Sequence, residues 1–117
     1  MAHAENDTVT PLPAATLYVL LALASEDRHG YGIIQEVSRL SSATYRVGSG
    51  TLYDNLKKLL HHEWVEDYEA QESSSGEMRR MYRMTDEGRR VLAADVSRMK
   101  RLVRVANRML ADEGGKA

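Results

Sequence analysis

The residues with the most evident chemistry lie in Ser49-Gly50-Thr51-Leu52-Tyr53, which runs into Asp54-Asn55-Leu56-Lys57-Lys58-Leu59-Leu60. This stretch reads as a helix start followed by a helix with two useful faces. Ser49 suits an N-cap, because its hydroxyl can accept an orphan amide proton of the first turn. Leu52, Leu56, Leu59 and Leu60 recur at helical spacing and form a core stripe. Thr51, Tyr53, Lys57, Lys58 and His61 fall off that stripe. On a helix laid in a DNA groove, such lysines meet phosphates and the small polar start faces base edges. A Leu stripe opposite polar residues also describes an ordinary surface helix. The choice between these readings depends on the neighbouring elements.

Other chemistries find less support. His61 and His62 are adjacent, so on a helix they point apart and cannot chelate one ion together. His3 stands in a polar N-terminal stretch, and His29 stands at a helix start where local contacts suit it. With no cysteine and no completing carboxylate set, no metal site is expected. The serines cluster in loop segments and the acids on a hairpin, so no nucleophile is paired with a base. No Gly-rich loop leads into a helix with Lys in phosphate-binding register. The reading is therefore not an enzyme, with no cofactor.

The elements that must position these residues follow from the whole chain. Its 117 residues suit one domain, and 43% hydrophobic with 28% charged residues suits a folded protein. Net charge is −1, so any nucleic-acid binding needs a local basic surface. Charge is uneven: Glu63, Glu66, Asp67, Glu69, Glu72 and Glu77 precede a segment dominated by arginine, from Arg79 to Arg108. The apolar run 12–24 is too short to span a bilayer, contains Pro13 and follows no basic residue. It reads as a buried helix, and the expected location is the cytoplasm.

Residues 1–10 read as a flexible tail. Pro13 can occupy a first helical turn, after which Leu17, Leu20, Leu21 and Ala24 repeat with helical spacing. A second helix opens at His29-Gly30 with Ile33, Ile34, Val37 and Leu40 on one face and ends at Ser41-Ser42. An extended link, 44–47, contains Arg46, read as a solvated residue, and precedes the Leu-striped helix. Residues 65–71 and the alternating 80–84 read as a hairpin around a Ser-rich loop. A two-stranded hairpin is marginal alone and must pack on the helices. Thr85 caps a long last helix, with Asp86 and Glu87 favoured by its dipole, stopping near Ala111. The expected fold is mainly α with a small β wing: a winged helix-turn-helix over 11–84, a dimerisation helix over 85–112 and a flexible tail over 113–117.

In that frame, Gly50-Thr51-Leu52-Tyr53 is similar to the Gly-Thr-Leu-Tyr signature of PadR-type transcriptional regulators. His29-Gly30-Tyr31 resembles the His-Gly-Tyr that opens their second helix, and residues 79–89 resemble their second wing strand running into the last helix. The resemblance covers residues 12 to about 110 and fits the shorter branch of the family, with a single C-terminal helix. Asp54 stands where Pro is common, and Glu63 replaces a frequent Gly. The resemblance implies a homodimer on double-stranded DNA, repressing from a palindromic operator, with one recognition helix per subunit in adjacent major grooves. It places Tyr31, Ser49, Gly50, Thr51, Tyr53, Lys57, Lys58, Arg79 and Arg80 at the DNA. A flank position at the core rim is the competing reading for Tyr53, packing for Tyr31 and solvation for Lys58. Many relatives respond to flat aromatic compounds, which implies a possible small aromatic effector.

In the last helix, Leu92, Val96, Met99, Leu102, Val103, Ala106 and Leu110 form a heptad-like seam expected to join two copies. A basic amphipathic helix can also lie on an anionic membrane. Heptad spacing and the lack of aromatic anchors favour the dimer, so no membrane partner is expected. A winged-helix protein-protein adaptor without direct DNA binding is the alternative, since one fold hosts many functions.

Overall fold

The computed structural model describes residues 11–72 and 74–116, with side chains to residue 111. The tail expected over 1–10 lies outside the described residues. The order is α1 (Ala14–Ala22), β1 (Arg28–His29), α2 (Gly30–Leu40), α3 (Ser49–His61), β2 (Val65–Gln71), β3 (Met78–Met84) and α4 (Asp86–Lys116). The expected mainly helical fold with a β wing is what the chain adopts.

α1 starts behind Pro13, whose extended backbone makes it the N-cap. Thr16, Val19, Leu20 and Ala22 face inward, while Leu17, Leu21 and Ala24 are only half-buried. The expected stripe is thus rotated. A helix apolar all round does not specify its inner face, so packing by α2, α3 and α4 decides it.

α2 is capped by His29, whose Nδ1 accepts from the Gly32 amide at 3.0 Å. Ile33 and Val37 are buried, but Leu40, expected beside them, is exposed. The chain turns away directly after it. Ser42 and Ala43 both adopt left-handed backbone, with φ of 52° and 63°. Such non-Gly residues are strained. Ser41 compensates: its hydroxyl donates to the Tyr45 carbonyl and accepts from the Tyr45 amide, which fixes the helix-turn-helix bend. Glu36 is buried beside Arg28 and Arg39. The hydrogen bond from Arg39 holds its carboxyl below the ordinary range, against the opposing effect of burial.

Leu52, Leu56 and Leu59 of α3 are fully buried. The cap is Gly48, not Ser49 as expected. Leu52 donates its amide to the Gly48 carbonyl at 2.9 Å, so the helix begins one residue early and Ser49 makes no capping bond. At the other end, Glu63 and Trp64 donate to the carbonyls of Leu60 and Leu59, each at 3.0 Å. That closure needs a left-handed residue, and Glu63 tolerates it at φ 63°.

β2 and β3 pair antiparallel from Val65↔Met84 to Gln71↔Met78. The sheet has a third strand, β1, on the free edge of β3, with Arg28↔Tyr82 and His29↔Met81. Two residues carry no period, so this strand left no sequence signal. It ties the wing to the start of α2.

Thr85 caps α4 as expected, accepting from the Gly88 amide at 3.0 Å, and its hydroxyl donates to the Glu63 carbonyl at 2.7 Å. Val91 and Leu92 pack into the protomer's own core. Leu92, expected in the seam between copies, is only 6% exposed within the lone protomer. Its heptad position coincides with the turn where α4 still lies on the body. Val96 and Met99 are half-buried, and every residue from Lys100 to Ala111 is exposed. The helix continues to Lys116 through Gly114-Gly115, beyond the stop expected near Ala111. Glycine costs about 1 kcal/mol in a helix, which does not by itself break the ladder.

Candidate nucleic-acid interface

The exposed side of α3 presents Ser49, Gly50, Thr51, Tyr53, Lys57 and Lys58. The buried leucines impose this, since their stripe leaves the intervening positions pointing out. Tyr53 is 50% exposed and reaches across to the start of α2. Its hydroxyl lies so close over Gly30 that a Cβ there would sit 2.3 Å away. Tyr31, 64% exposed, projects beside it. Tyr82 is buried near Tyr53, and burial first, then the neighbouring Tyr53, pushes its hydroxyl above the ordinary tyrosine range.

Tyr31, Tyr53, Arg79 and Arg80 border one open groove of about 620 Å³, together with Glu77 and Tyr82. Residues far apart in sequence thus meet where α2, α3 and the wing converge. Lys58 is not among them. It borders a cleft on the α1 flank with Pro13, Thr16 and Asn55, where Thr16 donates to Asn55 at 2.9 Å.

Arg46, read from the sequence as a solvated link residue, is exposed. It borders a second cleft of about 490 Å³ with Tyr31, Gln35, Ser38 and Gly48, directly before α3. Arg46, Lys57 and Lys58 make no ion pair among the described residues.

The wing cations differ. Arg80 is bound to Asp67 at 2.6 Å and Glu69 at 3.7 Å, and Arg79 is bound to Glu72. The hydrogen bond to Asp67 holds the Arg80 guanidinium above its ordinary value. Arg83 bridges Asp27 and Glu66 and lies 4.5 Å over the Tyr68 ring. Tyr68 in turn donates to Asp27 at 2.6 Å, which pushes its hydroxyl upward. This cluster anchors the wing to the loop after α1. His62 stacks on Trp64 at 4.6 Å, at the C-terminus of α3. No helix among the described residues is long and apolar enough to cross a membrane.

Comparison with known proteins fits this arrangement. An uncharacterized protein of Lysinibacillus sphaericus is 32% identical over 75 residues, spanning 64% of this chain and 68% of that one. A PadR family transcription regulator from Clostridium difficile superposes with a TM-score of 0.72 at 24% identity, covering 84% of this chain and 99% of that one. Bacillus subtilis PadR, solved in complex with operator DNA, superposes with a TM-score of 0.61 at 20% identity, over 72% of this chain and 47% of that one. Residues 19–94 match the Transcriptional regulator PadR-like family, whose members are regulators and not enzymes. On that match, and on a winged helix that exposes its α3 residues beside an arginine-bearing hairpin, the chain belongs to the PadR-like family of transcriptional regulators.

Proposed function

We propose that this regulator is a homodimeric repressor that binds a palindromic operator in double-stranded DNA and is released by a small aromatic effector. The observation that carries the reading is the pairing of two exposed surfaces on one chain. One is the groove and helix face of Tyr31, Tyr53, Arg46 and Lys57. The other is the bare apolar stripe of Leu102, Val103, Ala106 and Leu110 on α4. The first supplies hydroxyls and open cations to bases and phosphates. The second needs cover, and a second copy of the same helix is the self-complementary solution. Two recognition helices joined this way read half-sites roughly one DNA turn apart, about 34 Å.

Ser49, Gly50, Thr51 and Tyr53 take the groove, Lys57 and Arg46 take phosphates, and Arg79 and Arg80 bring the wing to the backbone. Lys58 serves a flanking phosphate. The effector step follows family resemblance, and Met99 beside the seam gives the packing latitude it needs.

Gel shift with the DNA upstream of the chain's own coding region tests the reading. A retarded complex that weakens steeply with salt is expected. Absence of any shift on that DNA and on unrelated duplexes, together with tight binding to a protein partner, favours an adaptor and sinks the proposal.

A further inference from the structure

The wing of this protein is a poor polycation. Residues 65–84 hold five carboxylates and three arginines, a net charge of −2. All three arginines of β3 are already paired within the hairpin or to Asp27. The register explains why. Glu69 sits directly opposite Arg80, and Asp67 lies two residues along on the same face. Ala70 sits opposite Arg79, which leaves Glu72 as its diagonal partner. By contrast, Arg46 just ahead of α3 and Lys57 on it make no ion pair among the described residues.

We infer that Asp67 and Glu72 are specificity-determining residues: by holding Arg80 and Arg79 they make the wing's grip on phosphate conditional on a well-fitted DNA site. This rests on the DNA-binding reading above. A phosphate approaching Arg80 exchanges one anion for another and leaves Asp67 uncompensated beside a polyanion. Glu77, on the rim of the same groove, adds to that repulsion. The exchange is favourable only where the duplex shape delivers a phosphate at good geometry. On unrelated DNA the internal pairs persist, and sequence-independent affinity comes from the α3 region. Both pairs reach solvent, the Arg80–Asp67 pair more than the part-buried Arg79–Glu72 pair, so they are exchangeable rather than locked.

The test is fluorescence anisotropy of a labelled random-sequence duplex across a salt series, comparing the parent with the double variant Asp67→Asn, Glu72→Gln. Removing the nearer partner of Arg80, with Glu69 left 3.7 Å away, and the partner of Arg79 is expected to raise affinity for the random duplex about tenfold at low salt and to steepen the log–log salt slope by roughly one to two. Parent-like affinity and slope in a folded variant overturn the inference while leaving DNA binding intact. If the parent itself binds no duplex, the DNA-binding reading falls and takes this one with it. Should the double variant fail to fold, Asp67→Asn alone decides. A rise of a few fold in random-duplex affinity, with the salt slope steeper by about one, is expected. Parent-like affinity and slope in this folded variant overturn the inference.

Discussion

At the scale of single residues, the groove is assembled by close approaches more than by charge. At Gly30 the Tyr53 hydroxyl occupies the space a Cβ would fill. Gly30→Ala should push that hydroxyl aside at little cost to folding, since the far end of a side chain moves easily and Ala favours a helix. DNA affinity should fall about tenfold, equivalent to roughly 1.4 kcal/mol, with the melting temperature unchanged or slightly higher. Full affinity in the gel shift would remove Tyr53 from the interface. Lys57 tests phosphate pairing separately. Lys57→Ala should weaken binding to every sequence and reduce the salt slope by about one. An unaltered slope would count against that contact. Lys57 and Tyr53 were legible as exposed because they alternate with a strong Leu stripe. Arg46 was harder to read, because its value depends on where the bend after Ser41 places it.

At the scale of elements, the joints matter more than the rods. The end of α3 and the start of α4 meet where Thr85 donates to the Glu63 carbonyl and Gly88 lies under the Trp64 carbonyl. A Cβ on Gly88 would come 2.1 Å from that carbonyl oxygen, which belongs to the backbone and cannot swing away. Gly88→Ala should therefore destabilise the fold by roughly 1–3 kcal/mol, read as a lower midpoint in urea unfolding. An unshifted midpoint would mean that the junction is more compliant than its geometry suggests. The helices and the hairpin were readable from period and turn chemistry. The N-cap of α3 was misplaced by one residue, because Ser49 is a better cap by type while Gly48 holds the extended backbone. The tyrosine and arginine partners from different elements were invisible, since no local pattern encodes which faces meet.

For the whole molecule, partnership turns on the distal half of α4, where Leu102, Val103 and Leu110 are exposed. Val103 is 55% exposed in the lone chain, far more than a stable apolar seam residue should be. Val103→Asp should leave the protomer folded but bury an uncompensated charge if two copies join there. Sedimentation should then show a monomer with parent-like circular dichroism. A dimer that persists would move the interface elsewhere on the chain. The same variant should weaken operator binding strongly, since two tethered reading helices gain by effective concentration. The apolar stripe of α4 was legible as a heptad-like pattern, but the spacing alone does not distinguish its two ends. Leu92 obeys the same spacing as Val103 but lies where α4 still rests on the body.

Hydrophobic period, turn residues and short polar signatures determined the element order, the buried face of α3 and the family to which the chain belongs. These are local properties, each written within a few turns of chain. Which face of α1 points inward, the third strand on β3, the pairing of the wing arginines and the meeting of Tyr53 with Gly30 came only from the folded chain. Each depends on residues distant in sequence competing for the same space or the same charge, and that competition is resolved only when the elements pack.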